Sequence, residues 1–438
     1  MELLLKVSIV LIVGFIGGKL ARRLKLPDVS GYLVLGIILG PSLGFIFKDF
    51  SGVITNTDQE KLKFIGEIAL AFIAFSIGSE FNFKVMKKIG KKINTIAVFE
   101  VLVAVLSVFV VLFFIPKPAP IMNGYQPFSK NNLAFGLILA SMSAATAPAA
   151  TLMVMRQYRS YGPVTKTVLP VTALDDIYGI VVFGFAISIA QMLVSPSNAK
   201  LVLVIFKPFI EVFGSLLLGG IIGYLLSLVV NRKGQSRDDL QIVSMAAVFL
   251  IIGLVFLINK SLTASNLVFS NLLANIALGT VLANKARESN KTFKAVNDFT
   301  TPFYILFFTL AGASLNLGIL KTNIIIGILA LFYVLARGFG KYGGAYLGAR
   351  IAKAEDEVVK YLGLALLPQG GVSLGLLVVV GSLIPAFYPA IATIIMLSIL
   401  VYETSGPIFA KYALSKAGEI GGLDKLELLS SIEGIEGA

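Results

Sequence analysis

The sequence predicts an all-α polytopic membrane protein of about thirteen transmembrane helices, built as an inverted repeat with two broken helices crossing at the bilayer midplane. Three observations carry this expectation. Hydrophobic residues make up 57% of the 438 and charged residues 14%, with a mean hydropathy of +0.89; soluble domains carry about a quarter charged residues. Apolar stretches of about 20 residues, the length that crosses ~30 Å at ~1.5 Å per residue, recur along the whole chain. Two of these stretches are interrupted by Pro and Gly, and they lie seven spans apart, running in opposite directions.

The thirteen expected spans run near 3–22, 29–47, 62–82, 93–115, 131–155, 163–193, 201–230, 239–258, 265–284, 299–320, 322–349, 357–383 and 386–410. The first is a retained helix and not a signal peptide, because Lys19, Arg22, Arg23 and Lys25 follow it and no small-residue cleavage site does. With the N-terminus outside, 25 of the 37 Lys and Arg fall on the cytoplasmic side and 10 on the outer side. That asymmetry sets the orientation, with the N-terminus outside and the C-terminus cytoplasmic. The net charge of +13 is therefore membrane orientation and not a nucleic-acid surface. The last two bases, Arg337 and Lys341, lie inside the eleventh span.

Composition also limits the chemistry. The absence of Cys excludes disulfides and thiol catalysis, and the absence of His excludes Ser-His triads and an imidazole proton relay. No Gly-rich phosphate motif opens a soluble domain. Residues 1–415 read as one membrane domain and 416–438 as a short cytoplasmic tail. No enzyme and no cofactor is expected.

Of the 24 Asp and Glu, sixteen lie in loops, at helix ends or in the tail. Glu2 and Glu80 sit at helix ends where they reach water. A charge near the bilayer centre costs ~2.5–3.5 kcal/mol on insertion scales, so Glu67, Glu100, Asp175, Asp176, Glu211 and Glu403 each need a reason. Asp175 and Asp176 lie about twelve residues, or ~18 Å, into the sixth span. Two adjacent carboxylates at that depth cannot both stay ionised and unpaired, and such a pair suits a site poised between a proton and a cation. One of them merely neutralising a buried base is the structural alternative. Glu211 follows Lys207 by one helical turn, so that pair neutralises itself.

The fifth span holds Ser141-Met142-Ser143-Ala144-Ala145-Thr146-Ala147-Pro148-Ala149-Ala150-Thr151. Pro148 frees backbone carbonyls, which are tolerated at membrane depth where they line a site or are buried in protein. The twelfth span holds Pro368-Gln369-Gly370-Gly371, an equally firm interruption. Each break alone is also an ordinary packing kink or hinge. Together they are the mark of a secondary transporter whose half-helix ends meet at the midplane. Arg337 and Lys341, four apart, share one face of the eleventh span. The expected pairs are Lys341 with Asp175, and Arg337 with Glu403 or Glu100; static ion pairs are the alternative.

These residues resemble the monovalent cation:proton antiporter-2 superfamily, the bacterial Na⁺(K⁺)/H⁺ exchangers of the NapA and Kef type. The resemblance rests on Leu174-Asp175-Asp176, the preceding Pro-broken helix and the later Gln-Gly-Gly break, and it covers nearly the whole chain. It implies a homodimer in the plasma (inner) membrane of a prokaryote, with a moving core of helices about 93–193 and 322–410 that carries the ion by an elevator-like alternating access and scaffold or dimerisation helices elsewhere. It implies that Asp176 binds the cation in competition with protons, that Asp175 pairs with Lys341, and that Ser143, Thr146 and Thr151 complete the oxygen site for a monovalent cation, Na⁺ first and K⁺ as the alternative. The lysine favours electrogenic exchange; a pair that stays closed gives one-for-one exchange. The chain departs from Kef systems in lacking a nucleotide-sensing domain, and the absence of His leaves any pH response to carboxylates and lysine. Two other readings share the same residues. A cation channel on this fold predicts flux without an opposing proton gradient, and an organic-anion symporter needs an unpaired base facing the cavity, for which Arg337 is the candidate. An intramembrane aspartyl protease resembles a different pattern, with its two aspartates on separate helices.

Overall fold

A computed structural model describes residues 2–24, 28–42, 52–79, 90–118, 121, 126–147, 151, 154–155, 158–194, 201–232, 234–262, 267–315 and 323–425. Fourteen helices run through the described residues: α1 (Glu2–Arg23), α2 (Asp28–Leu39), α3 (Asn56–Gly78), α4 (Lys91–Phe113), α5 (Lys130–Met142), α6 (Pro163–Val194), α7 (Leu201–Val230), α8 (Arg237–Ser261), α9 (Asn271–Lys285), α10 (Ser289–Ser314), α11 (Ile324–Ile351), α12 (Asp356–Ala365), α13 (Gly371–Leu383) and α14 (Tyr388–Lys416). They fall on the expected spans in order, with the twelfth span divided into α12 and α13.

Among the described residues, seven helices are long and apolar enough to cross a membrane. Three of the other expected spans fall short for reasons seen in the described residues, while those near 29–47 and 299–320 extend beyond them. The fifth stops at Met142 and the twelfth is interrupted at residues 366–370. In α3 the apolar stretch is confined to Phe64–Gly78, because its first turn is a capping box. There the Thr55 hydroxyl accepts from the Asp58 amide, and the Asp58 carboxylate accepts from the Thr55 amide at 2.9 Å. The same carboxylate is ion-paired to Lys6 of α1 at 2.7 Å.

The helices pack in two groups. α4, α5, α6, α11, α12 and α14 lie against one another, and α1, α2, α3, α7, α8, α9 and α10 against one another. Contacts of α6 with α7, of α13 with α6 and α3, and of α14 with α2 join the groups. Large apolar side chains such as Leu5, Ile12, Leu217, Phe256 and Phe339 are exposed on the outer faces. Chains with so few charges present such a surface to lipid and not to water.

The most extensive helix pair is α4 with α11, and its cause is legible in α11. Gly340, Gly344 and Gly348 repeat every fourth residue and form a groove that the α4 backbone enters. A Cβ on Gly344 would stand 2.7 Å from the Glu100 Cα, and one on Gly348 would stand 2.8 Å from the Ile96 Cα. This approach brings Glu100 onto Lys341.

The start of the tail packs back on the helices. Gly418, with φ +73°, ends α14 in the left-handed conformation. The chain then folds back on the segment before α6. The Tyr161 amide donates to the Glu419 carbonyl at 3.0 Å, the Gly421 amide to the Tyr158 carbonyl at 2.9 Å, and the Leu423 amide to the Arg159 carbonyl at 3.0 Å. The buried Glu419 carboxylate caps α6, accepting from the amides of Val164 (2.6 Å) and Thr165 (2.8 Å) and from the Thr165 hydroxyl (2.6 Å).

Candidate functional site

The two interruptions lie side by side. α5 ends at Met142 and residues 143–147 leave the helical path; residues 366–370 do the same between α12 and α13. They are joined where the Ala147 amide donates to the Pro368 carbonyl at 3.0 Å. Ends of helices expose carbonyls that have no intrahelical donor. Arg337 of α11, fully buried, answers them: Nε donates to the Ser143 carbonyl at 3.1 Å, Nη1 to Leu367 at 2.6 Å, and Nη2 to Ala145 at 2.8 Å and Pro368 at 3.4 Å. Its guanidinium also stacks over the Tyr402 ring at 4.6 Å.

This corrects the expected pairing of Arg337 with Glu403 or Glu100. A planar five-donor fork matches a cluster of carbonyls, and the two breaks supply one. Glu403 instead lies beside the second break, where a Cβ on Gly370 would stand 2.7 Å from its Oε1 and 3.0 Å from the Ala147 Cβ. Glu100 lies on the other base. Lys341 Nζ donates to Glu100 Oε1, to the Thr146 hydroxyl and, at 3.3 Å, to Asp175 Oδ2. Thr146 in turn donates to Asp175 Oδ2 at 2.6 Å. Glu100, Asp175 and Lys341 have no solvent exposure, Thr146 is 2% exposed and Asp176 is 3% exposed.

The arrangement is thus a buried ammonium between two carboxylates, bridged by one hydroxyl, with Asp176 next along α6. At an effective dielectric near 20, two unit charges ~4 Å apart interact by about 4 kcal/mol. A charge of that kind entering or leaving the group is felt by every member. Among the described residues, Glu100 Oε2 and Asp175 Oδ1 are buried without a hydrogen-bond partner, so each carboxylate has an oxygen able to take a proton or an ion.

The remaining expected residues serve the crossing in different ways. The Ser143 hydroxyl donates to the Ala140 carbonyl at 2.6 Å, and the Thr151 hydroxyl donates to the Ala365 carbonyl at 2.7 Å. Both therefore satisfy freed helix ends. Gln369, fully buried, donates to the Ser373 and Tyr333 hydroxyls (3.0 and 3.2 Å) and accepts from Ser398 at 2.7 Å, tying the break to α11 and α14. Gly371 opens α13. Pro148 lies outside the described residues, as does the Lys207 side chain. Glu211 accepts from the Ser188 hydroxyl at 2.6 Å and the Val268 amide at 2.8 Å. Tyr333, Ser398 and Tyr402 were not singled out in the sequence; Tyr333 stands one turn before Arg337, which was the available signal, whereas Ser398 and Tyr402 reach the site from α14 and had none.

A membrane-embedded cluster of carboxylates and a lysine at two crossed helix breaks defines a class, the secondary transporters with a mid-membrane ion site. The comparisons narrow it. Residues 7–411 match the family model described as sodium/hydrogen exchanger, transmembrane, and the chain belongs to that family, one of transporters and not of enzymes. The chain is 24% identical over 423 residues to the Na⁺/H⁺ antiporter NhaS4 of Synechocystis sp., covering 93% of this chain and 97% of that one. It is 24% identical over 426 residues to the Na⁺/H⁺ antiporter of Enterococcus hirae, covering 95% and 99%. The structure of the sodium proton antiporter MjNhaP1 from Methanocaldococcus jannaschii at pH 8 shares the fold, with a TM-score of 0.70 at 22% identity over 94% of this chain and 100% of that one.

Proposed function

We propose that the protein exchanges a monovalent cation, Na⁺ or else K⁺, for protons across a prokaryotic inner membrane, by alternating access around Asp176 and Asp175. The observation that carries this reading is the fully buried Asp175–Thr146–Lys341 contact at the crossing of the two breaks, with Asp176 beside it. A carboxylate in low dielectric is tolerated only when neutralised, so Asp176 holds either a cation or a proton when it crosses the barrier. Cation and proton therefore compete for one group, and that competition is the coupling. Oxygen ligands from Asp176, Asp175 and Thr146 suit a hard monovalent ion. Arg337 and Gln369 hold the crossed breaks together so that the site moves as a unit. α4–α6 with α11–α14 form the moving core and the other helices the scaffold and homodimer contact, with lipid around both; the N-terminus is outside and the tail cytoplasmic.

The exchange reading is favoured over anion symport by one observation. Arg337, the base that an anion would need, is surrounded by the carbonyls of Ser143, Ala145, Leu367 and Pro368. The test uses proteoliposomes holding a preset proton gradient and an internal pH dye. Addition of Na⁺, K⁺ or Li⁺ is expected to collapse the gradient, and the active ion names the substrate. Cation flux that proceeds equally without an opposing proton gradient would establish a channel instead.

A further inference from the structure

The two helix groups meet along a seam whose ends differ. At the end where α6 finishes, Glu211 of α7 is buried and both its carboxylate oxygens accept, one from the Ser188 hydroxyl of α6 at 2.6 Å and the other from the Val268 amide at 2.8 Å. Ser188 stands twelve residues beyond Asp176, or ~18 Å along the helix. Ser215, one turn after Glu211, accepts from the Ser270 amide at 2.8 Å. α7 is thereby fastened to the start of α9 within one group, while Ser188 carries a contact across to the other. The cavity beside this contact, lined by Ile187, Gln191, Val212 and Leu273, measures about 20 Å³, the room of a single water. The opposite end of the seam is wider: between Gly17 and Ala21 of α1, Gly31 of α2 and Ile399 and Glu403 of α14 lies a cavity of about 90 Å³.

We propose that Glu211 is a positioning residue whose hydrogen bond to Ser188 latches the outer end of the seam, so that this structure is the state shut toward the outside and the latch parts each time the ion site turns outward. The inference rests on the antiport reading above, which puts the Glu211 end outside and the Glu403 end in the cytoplasm. A core that moves against a scaffold opens one end of the seam while the other is shut. Apolar contacts tolerate sliding, but a hydrogen bond made at 2.6 Å is gone once its partners stand ~1 Å further apart. The latch therefore has two states, made and broken, and it biases the seam toward the one seen here.

The surroundings suit Glu211 to this role. A carboxylate is a stronger acceptor than a neutral group, and a hydrogen bond to it favours the shut state by about tenfold. The Val268 amide belongs to the scaffold and holds the carboxylate in place to receive Ser188 when the core returns. Tyr388, which opens α14, meets Ser314, which closes α10, at the same end and adds a second contact between the groups.

The experiment exploits the absence of cysteine from the chain. Val212→Cys places a single thiol in the outer seam, and full-length protein in right-side-out membrane vesicles is labelled from outside with a membrane-impermeant maleimide. Adding Ser188→Ala is expected to raise the labelling rate about tenfold, and adding Ser188→Thr, which keeps the hydroxyl, to leave it near that of Val212→Cys alone. A second pair leaves the latch untouched. A Cβ on Gly184 would stand 3.0 Å from the Val212 Cγ2, so Gly184→Cys with Val212→Cys should cross-link under oxidation. Cation-driven proton movement is then expected to cease and to return with reductant. A labelling rate unmoved by Ser188→Ala, a Ser188→Thr variant labelled as fast as Ser188→Ala, a thiol pair that does not cross-link, or transport that persists through the cross-link each overturns the proposal. Labelling reads the opening of the seam whatever is carried. Absence of cation-driven proton movement in folded wild type removes the antiport reading itself, a result distinct from these.

Discussion

Replacing Arg337 by Lys tests whether the crossed breaks are held by a planar fork or merely by a positive charge. In the structure the guanidinium reaches four carbonyls on both broken segments and stacks on Tyr402, with no solvent exposure. Hydrogen bonds to a charged group are worth about 1.5–3 kcal/mol each, and a buried polar group left without its donor costs about 1–3 kcal/mol. A lysine keeps the charge but places one compact ammonium where Nε, Nη1 and Nη2 stood, and two of the four carbonyls then lose their donor. The expected loss for Arg337→Lys is about 2–6 kcal/mol, a large share of a typical 5–15 kcal/mol. Arg337→Met, which leaves the Ser143, Ala145 and Leu367 carbonyls without that donor while Pro368 keeps the Ala147 amide, is expected to be worse by a further ~2 kcal/mol. The assay is thermal unfolding in detergent read by size-exclusion chromatography after heating. Arg337→Lys with wild-type stability would refute the reasoning, because charge alone would then suffice.

Three further outcomes follow from other parts of the molecule. Gly344→Ala places a methyl group 2.7 Å from the Glu100 Cα and the Phe99 carbonyl oxygen, so α4 and α11 must separate. A loss of about 1–3 kcal/mol is expected in the same assay, and wild-type stability would contradict the close approach. Glu419→Gln removes the charge from the carboxylate that caps α6, and a loss of about 1–2 kcal/mol is expected. Limited proteolysis of the tail should accelerate in that variant, and an unchanged cleavage rate would show that the cap does not hold the tail. Asp58, outside the apolar stretch of α3, has its carboxyl lowered to about 2, first by Lys6 and then by the Thr55 hydroxyl. A depressed carboxylate stabilises above its unfolded value of ~4 and ceases to do so as pH falls through the folded one. The stability difference between wild type and Asp58→Asn is therefore expected to be constant from pH 5 to 8 and to shrink only in stronger acid; a difference that varies within that range would contradict it.

The helices and their interruptions were legible because hydropathy and Pro/Gly placement are local properties. Pro368-Gln369-Gly370-Gly371 marks a break wherever it stands in a span, and α12 and α13 part there. Asp175 and Asp176 were legible because charge in an apolar span is costly enough to demand a reason. The assignment of bases to acids was legible only in part, since it depends on distances between helices: Lys341 does reach Asp175, at 3.3 Å. Arg337 was expected to take Glu403 or Glu100, yet the breaks supply carbonyls nearer to it, and Lys341 takes Glu100 because the Gly340, Gly344 and Gly348 row admits α4. Both signals were present in the sequence, as a freed-carbonyl requirement and as a glycine at every fourth position. The Glu419 cap had no comparable signal, because a tail carboxylate that reaches back to another helix looks like any acidic tail residue.

The central claim is that Asp176 holds a cation or a proton and never both. The most direct measurement is the proton release that follows addition of saturating cation to purified protein in weakly buffered detergent, at the pH of half-maximal transport. Wild type should release protons on binding, and Asp176→Asn, verified as folded, should release none. Cation binding by wild type without proton release, or equal release from Asp176→Asn, would contradict the claim.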